Sequence, residues 1–254
     1  VSDAQPLRSE LAAGVLTLTL DRPDKRNALG SVLVDALHAA IDAADLDAGV
    51  RVIVLRGAGT DFCAGADLAE LLASADRTLA QNEAEALRLG SLFSRLRSLP
   101  MPVVAVVQGR ALAGGAGLAL AADLVLADEE AQIGFPEIQR GFVPAMVMTL
   151  LRRAAGEKPA FDLVATGRLL SAREACNLGL VSRVCSGGRL AEESGAVVAG
   201  LAGADPSAMA LTKRLFYELD GTGLAEGIAL GAKVNAAARS TSGFRKAIGA
   251  FLAR

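Results

Sequence analysis

Three glycines in four positions, Gly114, Gly115 and Gly117 in the run Ala111-Leu112-Ala113-Gly114-Gly115-Ala116-Gly117-Leu118, follow the apolar stretch Pro102 to Val107. A strand, a turn bare of side chains and a helix start leave backbone N–H groups unpaired and approachable, which suits the segment to hold a phosphate or an oxyanion. A second glycine-bearing turn, Ala64-Gly65-Ala66-Asp67-Leu68, follows the apolar run Val52 to Leu55 in similar order. The echo is loose, but it places two like turns after two like strands, where both can face one site. The acids associated with such turns are Asp67, Glu70 and Glu137, the last within Pro136-Glu137. The single histidine, His38, lies in the helical-pattern run Val32 to Ile41, so neither a Ser-His-Asp triad nor a multi-histidine metal site is expected. Acid–base chemistry in this chain must rest on carboxylates, and no metal is expected.

Which anion the glycine turn holds is narrowed by spacing. Gly115-Ala116-Gly117 supplies the first two glycines of a dinucleotide fingerprint, but the third required position is Leu120. No Gly-Lys-Ser or Gly-Lys-Thr follows, so a triphosphate-binding loop fails as well. An oxyanion site and a turn whose glycines only allow close helix packing remain as alternatives.

The elements that must position these residues follow from periodicity. Val15 to Leu20 alternates as a half-buried strand, the polar loop Asp21 to Asn27 follows, and Ser31 to Asp45 reads as a helix. After the strand Val52 to Leu55, helical pattern resumes near Asp67, breaks around Ser74 to Arg77, and continues from Leu79 to Leu96. Pro102 to Val107 is a strand, the glycine segment opens a helix to Ala122, and Leu124 to Ala127 and Gln132 to Phe135 are further strands. Ser171 with Glu174 forms a capping box for a helix over Ala172 to Leu178, before a strand-like Val181 to Cys185. From Leu190 the pattern is helical, with breaks at Gly203 to Pro206 and Asp220 to Gly223. The expected fold class is α/β, with a core over residues 1–190 and a helical region over 191–254.

Composition limits the partners. A formal net charge of −2, one tyrosine and no tryptophan offer neither a field nor stacking platforms for nucleic acid. A mean hydropathy of +0.39 without an apolar run of membrane-spanning length argues against a membrane segment and leaves apolar surface for subunit contacts. Three cysteines without metal-ligand or redox spacing, and an opening Val1 to Pro6 with no basic or apolar leader pattern, lead us to expect a cytoplasmic protein.

Several segments in order carry a resemblance: Arg22-Pro23 with Asn27-Ala28-Leu29; Phe62 to Leu68; Pro102 to Leu118; Ala122-Asp123; Phe135-Pro136-Glu137-Ile138 with Gly141 and Pro144; and Thr166-Gly167 through Ser171-Ala172 to Gly179-Leu180-Val181. Over essentially its full length the chain resembles the enoyl-CoA hydratase/isomerase, or crotonase, superfamily. The resemblance implies a spiral of ββα units with a C-terminal helical trimerisation region, assembling as a homotrimer or as trimers paired into a hexamer. It implies an acyl-CoA substrate, with coenzyme A as part of the substrate and no separate cofactor. It assigns the oxyanion hole to the N–H groups of Ala66 and Gly114 and proton transfer to Glu137. Around them it places Ala64, Gly65, Asp67, Leu68 and Gly115 against the substrate, with Arg26 and Arg254 as contacts for coenzyme A.

The chain departs from the family pattern at one position. Hydratases of the family use two glutamates, and the place of the first is taken here by Gly117, with no acidic residue between Gln108 and Ala122. Hydration needs a water held and deprotonated at one carbon and a proton delivered at its neighbour, work that two carboxylates divide. Glu137 alone fits double-bond isomerisation, or protonation of an enolate made by decarboxylation or C–C cleavage. A non-catalytic acyl-CoA binder is the reading from another class.

Overall fold

The computed structural model describes residues 5–253. Strands β1 (Leu7–Ala12) and β2 (Val15–Leu20) form an antiparallel hairpin closed by Ala13 and Gly14, both at positive φ. Helix α1 (Ser31–Leu46) then crosses back to β3 (Val52–Gly57), which pairs parallel to β2. Helices α2 (Leu68–Ala73) and α3 (Leu79–Ser98) lead to β4 (Val103–Val107), parallel to β3. After β5 (Arg110–Leu112) and α4 (Gly114–Ala121), β6 (Leu124–Asp128) joins β4 on its other side. The chain continues through β7 (Gln132–Gly134), α5 (Ala145–Ala155), α6 (Glu157–Thr166), β8 (Leu169–Ser171), α7 (Ala172–Asn177) and β9 (Arg183–Cys185). It closes with α8 (Leu190–Gly203), α9 (Pro206–Glu218), α10 (Leu224–Arg239) and α11 (Ser242–Leu252).

Two sheets result: a six-stranded one in the order β1-β2-β3-β4-β6-β9, parallel except for β1, and a three-stranded one in the order β5-β7-β8. Single bridges from Cys63 to Ala111 and from Leu29 to Ala66 carry the smaller sheet outward. Successive units therefore repeat one plan. A strand of the large sheet is followed by an extended segment of the small sheet and then by a helix, as in β3 with 63–66 and α2, or β4 with β5 and α4. The faint likeness between Val52–Leu68 and Val103–Leu118 is two neighbouring turns of that spiral.

The capping box of α7 forms as expected, with Glu174 N–H donating to Ser171 Oγ and the Glu174 carboxylate accepting from Ser171 N–H. Three short or hidden elements were not anticipated. The glycine helix is preceded by β5, and β1 and β8 are strands. The stretch from 145 to 166, unassigned from periodicity, is two helices.

The main core lies between the large sheet and helices α1, α3 and α4, with Leu18, Leu37, Ile53, Leu55, Leu92 and Leu96 fully enclosed. Helix α8, beyond the expected boundary at 190, packs on the opposite face of the sheet, where Val198 meets Val52, Val54, Val104 and Leu126. The next helix, α9, is fastened to the core by a buried lysine. Lys213 Nζ donates to the carbonyls of Leu96 (2.9 Å) and Met101 (3.0 Å) and pairs with Asp123 (2.7 Å). Burial pushes its pKa down, against the pull of the Asp123 charge. Tyr217 Oη donates to the other oxygen of Asp123 at 2.7 Å, so one carboxylate holds two residues of α9.

Candidate active site

The first glycine turn is held by polar side chains. Arg22 donates to the Ala28 carbonyl (2.6 Å) and to Asp67 Oδ2 (2.9 Å). Asp67 Oδ1 caps α2 by accepting from Ala69 N–H. Both oxygens of Asp67 are thus engaged within the protein. The Arg22 hydrogen bond, aided by the Ala69 amide and working against burial, holds its carboxyl below the usual range. Glu70 reaches back to accept from Ser31 N–H at 2.7 Å, acting as the N-cap that Gly30 cannot be for α1. Buried Asn27, in the left-handed region at φ 57°, accepts from Arg22 N–H and donates to the carbonyls of Ala58 and Asp61. Arg26, exposed and also left-handed, offers its carbonyl to Ala64 N–H at 3.0 Å.

A second ion pair ties this turn to its partner. Asp61, 3% exposed, takes a bidentate hold from Arg110 Nε (2.8 Å) and Nη2 (2.9 Å) and accepts from the Arg110 amide. Burial works against its charge, but these bonds and the nearby arginine charges outweigh it and leave the pKa lowered. Cys63 N–H then donates to the Arg110 carbonyl, and Leu112 N–H donates to the Cys63 carbonyl. The thiol of Cys63 is sealed in the core and its pKa is pushed up to about 12, so it is an inert packing group.

The second turn is shaped by close packing. Ala113 takes φ 51°, ψ −123° and its N–H donates to the Gly134 carbonyl at 2.8 Å. A Cβ at Gly65 would come within 2.9 Å of Ala113 Cβ and 3.5 Å of Gly114 N, so the two turns touch at a residue that must lack a side chain. A Cβ at Gly115 would overlap the Cys63 carbonyl and lie 2.8 Å from its Sγ. Gly114 meets only ordinary contacts, to Leu29 and Leu89. Among the described residues, neither Ala66 N–H nor Gly114 N–H has an intramolecular acceptor. Two free amides therefore stand on touching turns, the second at the positive end of α4.

Glu137 comes to the same edge through the small sheet. Strand β7 runs parallel to β5 with Gly134 opposite Leu112, so the segments leaving both strands start side by side. One becomes α4 and the other the 3-10 turn Pro136–Arg140 that carries Glu137. The carboxylate is 9% exposed, and its Oε2 is buried with no hydrogen-bond partner among the described residues. Burial raises its pKa, against a backbone hydrogen bond and the charge of Arg140. A buried carboxylate oxygen left unpaired is energetically unfavourable in the resting fold and is characteristic of a group kept for chemistry.

The sequence profile of the family described as enoyl-CoA hydratase/isomerase matches residues 10–254. An enoyl-CoA hydratase homologue of Thermus thermophilus is 45% identical over 237 residues, covering 93% of this chain and 94% of its own. The chain belongs to the enoyl-CoA hydratase/isomerase family. The 2,3-dehydroadipyl-CoA hydratase of Escherichia coli is 34% identical over 239 residues, 94% of this chain and 92% of that one. The crystal structure of an enoyl-CoA hydratase of Mycobacterium smegmatis superposes with a TM-score of 0.93 at 33% identity, covering 97% and 96% of the two chains. The crotonase-like spiral and its C-terminal helices are thereby established for this enzyme.

Within this crotonase, Ala64, Gly65, Ala66, Gly114 and Gly115 come together at the contact of the two turns. Leu68, 57% exposed at the head of α2, stands beside them. Arg254 lies outside the described residues. The supports that local pattern did not reveal are Arg22, Asn27, Asp61 and Arg110. Their partners lie 31 to 49 residues away for the bonds that matter most, a separation no periodicity reports.

The position of the first family glutamate is filled. A Cβ at Gly117 would overlap Val147 Cγ1 and lie 2.8 Å from Phe93 Cζ, so α5 and α3 occupy the space where a longer side chain would begin.

Proposed function

We propose that this enzyme binds an enoyl-CoA, polarises its thioester carbonyl with the N–H groups of Ala66 and Gly114, and moves a proton with Glu137 in a hydration or double-bond isomerisation. The observation that carries the reading is the unpaired, buried Glu137 Oε2, brought by β7 to the same edge as the two free amides. Removing a proton next to a thioester places charge on the carbonyl oxygen, and two preaimed donors stabilise it without reorganisation, each worth about 3 kcal/mol of barrier. A carboxylate desolvated by burial is a stronger base than one in water, which suits abstraction of a weakly acidic C–H proton. These groups supply the chemistry without a separate cofactor, coenzyme A entering as part of the substrate.

Ala64, Gly65 and Gly115 would let the thioester approach, Leu68 would border the acyl group, and Asp67 would act from behind by fixing the turn. Exposed Arg26, next to that turn, is the proposed contact for the nucleotide end of coenzyme A. We also propose a homotrimer or paired trimers, since Leu224, Ile228, Phe244, Ile248 and Phe251 of the last two helices are exposed apolar residues. None of the helices among the described residues is long and apolar enough to cross a membrane, and no nucleic-acid partner is proposed. The three unpaired thiols support a cytoplasmic location.

Assay of purified protein with 2-enoyl-CoA and 3-enoyl-CoA, beside Glu137→Gln, tests the proposal. Turnover should fall by about a hundredfold to ten-thousandfold in the variant, the usual worth of a positioned acid–base group. Equal turnover in both proteins would remove Glu137 from the mechanism, and tight acyl-CoA binding with no turnover would favour the non-catalytic binder.

A further inference from the structure

The face of the large sheet opposite the main core carries a cleft of its own. Side chains alternate along β2, β3 and β4, so Val15, Thr17, Val54, Arg56 and Val106 all point to the side that α8 covers. Val198 closes on the valines of this face, but toward the start of α8 the helix presents only small residues, Ala191, Ser194 and Gly195. A cleft of about 460 Å³ is left between helix and sheet, and a Cβ at Gly195 would meet nothing within 4 Å. That volume is within the range of small-molecule sites, about 300–1,000 Å³. The cleft shares no lining residue with the turns at 63–67 and 113–117.

Arg56 is the only charged residue that lines this cleft. It is exposed and stands between Thr19 and Val106 across the strands, and among the described residues its guanidinium forms no ion pair or hydrogen bond. Gln108 fixes the backbone beside it, its amide donating to the carbonyls of Gly57 (2.7 Å) and Gly59 (3.4 Å). Away from Arg56 the walls turn apolar. Val15 pairs with Val52, four residues before Arg56, so the run from cation to valine floor is about 13 Å of strand. We propose that the cleft binds a carboxylate carrying an apolar tail of about eight carbons, its head held by Arg56 and its tail laid along Val54 and Val15 under α8. A planar guanidinium takes both oxygens of a carboxylate at once. A neutral chain would gain the apolar contact and leave the cation unpaired, and a cationic chain would be repelled. The proposal does not depend on the reaction assigned to Glu137.

Calorimetric titration of the full chain with octanoate, octan-1-ol and octylamine tests the proposal. It is run on wild type, on Arg56→Leu, and on Ala191→Leu/Gly195→Leu, which fills the cleft from the helix side. Circular dichroism checks folding, and the exposed Arg56 position keeps the test usable if the double variant fails to fold. Wild type should bind one octanoate per chain with a Kd of about 1 mM or tighter, and the alcohol and the amine at least tenfold more weakly. Arg56→Leu should weaken octanoate at least tenfold, and the filled cleft should abolish its binding. No octanoate binding to wild type, or equal affinity for octanoate and octan-1-ol, would overturn the proposal. Octanoate affinity unchanged in either folded variant would also overturn it, by placing the ligand elsewhere, and would leave the proposed reaction untouched.

Discussion

The two turns that present free amides do the same job by opposite means. The turn at Ala64–Leu68 is cinched by polar side chains, Arg22, Asp67 and Glu70 among them charged: Arg22 to Asp67, the Asn27 amide to the carbonyls of Ala58 and Asp61, Glu70 to the start of α1. The turn at Ala113–Gly117 has no side-chain hydrogen bond at its helix start and is fixed by the absence of side chains, with Gly115 against Cys63 and Gly117 against Val147. The first lies in the loop between β3 and α2, which must be pulled onto its neighbour. The second begins a buried helix, all but one of whose residues are sealed in the core, where a charge would be unfavourable to bury. One turn is accordingly sensitive to pH and charge, the other to volume.

The largest effect should come from adding volume to the second turn. Gly115→Ala sets a methyl onto the Cys63 carbonyl, a main-chain atom just before the first turn, so one backbone or the other must move. Displacing a single oxyanion donor lowers kcat by about a hundredfold to a thousandfold, and overpacking of this kind costs about 1–3 kcal/mol of stability. Gly114→Ala meets only Leu29 Cδ1 at 3.4 Å and should fold with a nearly unchanged Tm. Thermal unfolding and kcat/KM on the two variants check the contrast, and equal damage from both would mean that packing does not set this turn.

Removing charge from the first turn ranks next. Arg22→Ala deletes a charge-assisted bond to Asp67, whose carboxylate is only 9% exposed, and frees the Ala28 carbonyl. The expected loss is about 2 kcal/mol, the range for a hydrogen bond to a charged group left unpaired. Urea unfolding would measure it. A loss within error would show that the turn holds without its ion pair.

The same comparison separates two carboxylates of equal exposure, Asp67 at 8% and Glu137 at 9%. The folded pKa of Asp67 is lowered, so its contribution is present above the unfolded value of about 3.9 and is lost as pH falls through the folded one. The folded pKa of Glu137 is raised, so its ionised form opposes folding above that pKa, and stability is regained as pH falls toward about 4.3. Glu137→Gln should therefore raise Tm at neutral pH and lose that advantage in acid, while Asp67→Asn should lower Tm at neutral pH and matter less in acid. If catalysis requires ionised Glu137, the rising limb of the kcat/KM profile should lie above the ordinary carboxylate range.

These mechanisms also explain which parts of the molecule were readable from sequence. The glycine turns and Glu137 sit in compact local patterns, and the six long strands and helices around them follow from periodicity. Strands β5 and β8, three residues each, carry no period and exist because Gln132–Gly134 lies between them to pair with both. Arg22 lies in a polar loop and Arg110 just ahead of the glycine turn, and neither shows its partner until the fold brings Asp67 and Asp61 to them. Phe93 and Val147 are ordinary apolar helix residues in sequence, and only packing shows that they fill the flank beside Gly117.

The smallest effect should come from Ala113, the alanine that enters the second turn at φ 51°, ψ −123°. Holding a non-glycine residue in a sparsely populated region costs about 1–3 kcal/mol, so glycine here would relieve strain. Glycine also widens the unfolded ensemble, a loss of about 0.4–1 kcal/mol, and removes the methyl that packs over Gly65. The terms nearly cancel, and Ala113→Gly should shift stability by less than about 1 kcal/mol in the stabilising direction. Its activity is the more informative reading. If the strained alanine aims the Gly114 amide, the relaxed variant should bind acyl-CoA as before but turn it over several times more slowly. Unchanged kcat together with higher stability would show that packing of Gly115 on Cys63 alone fixes that amide, making the second turn still more purely a matter of volume.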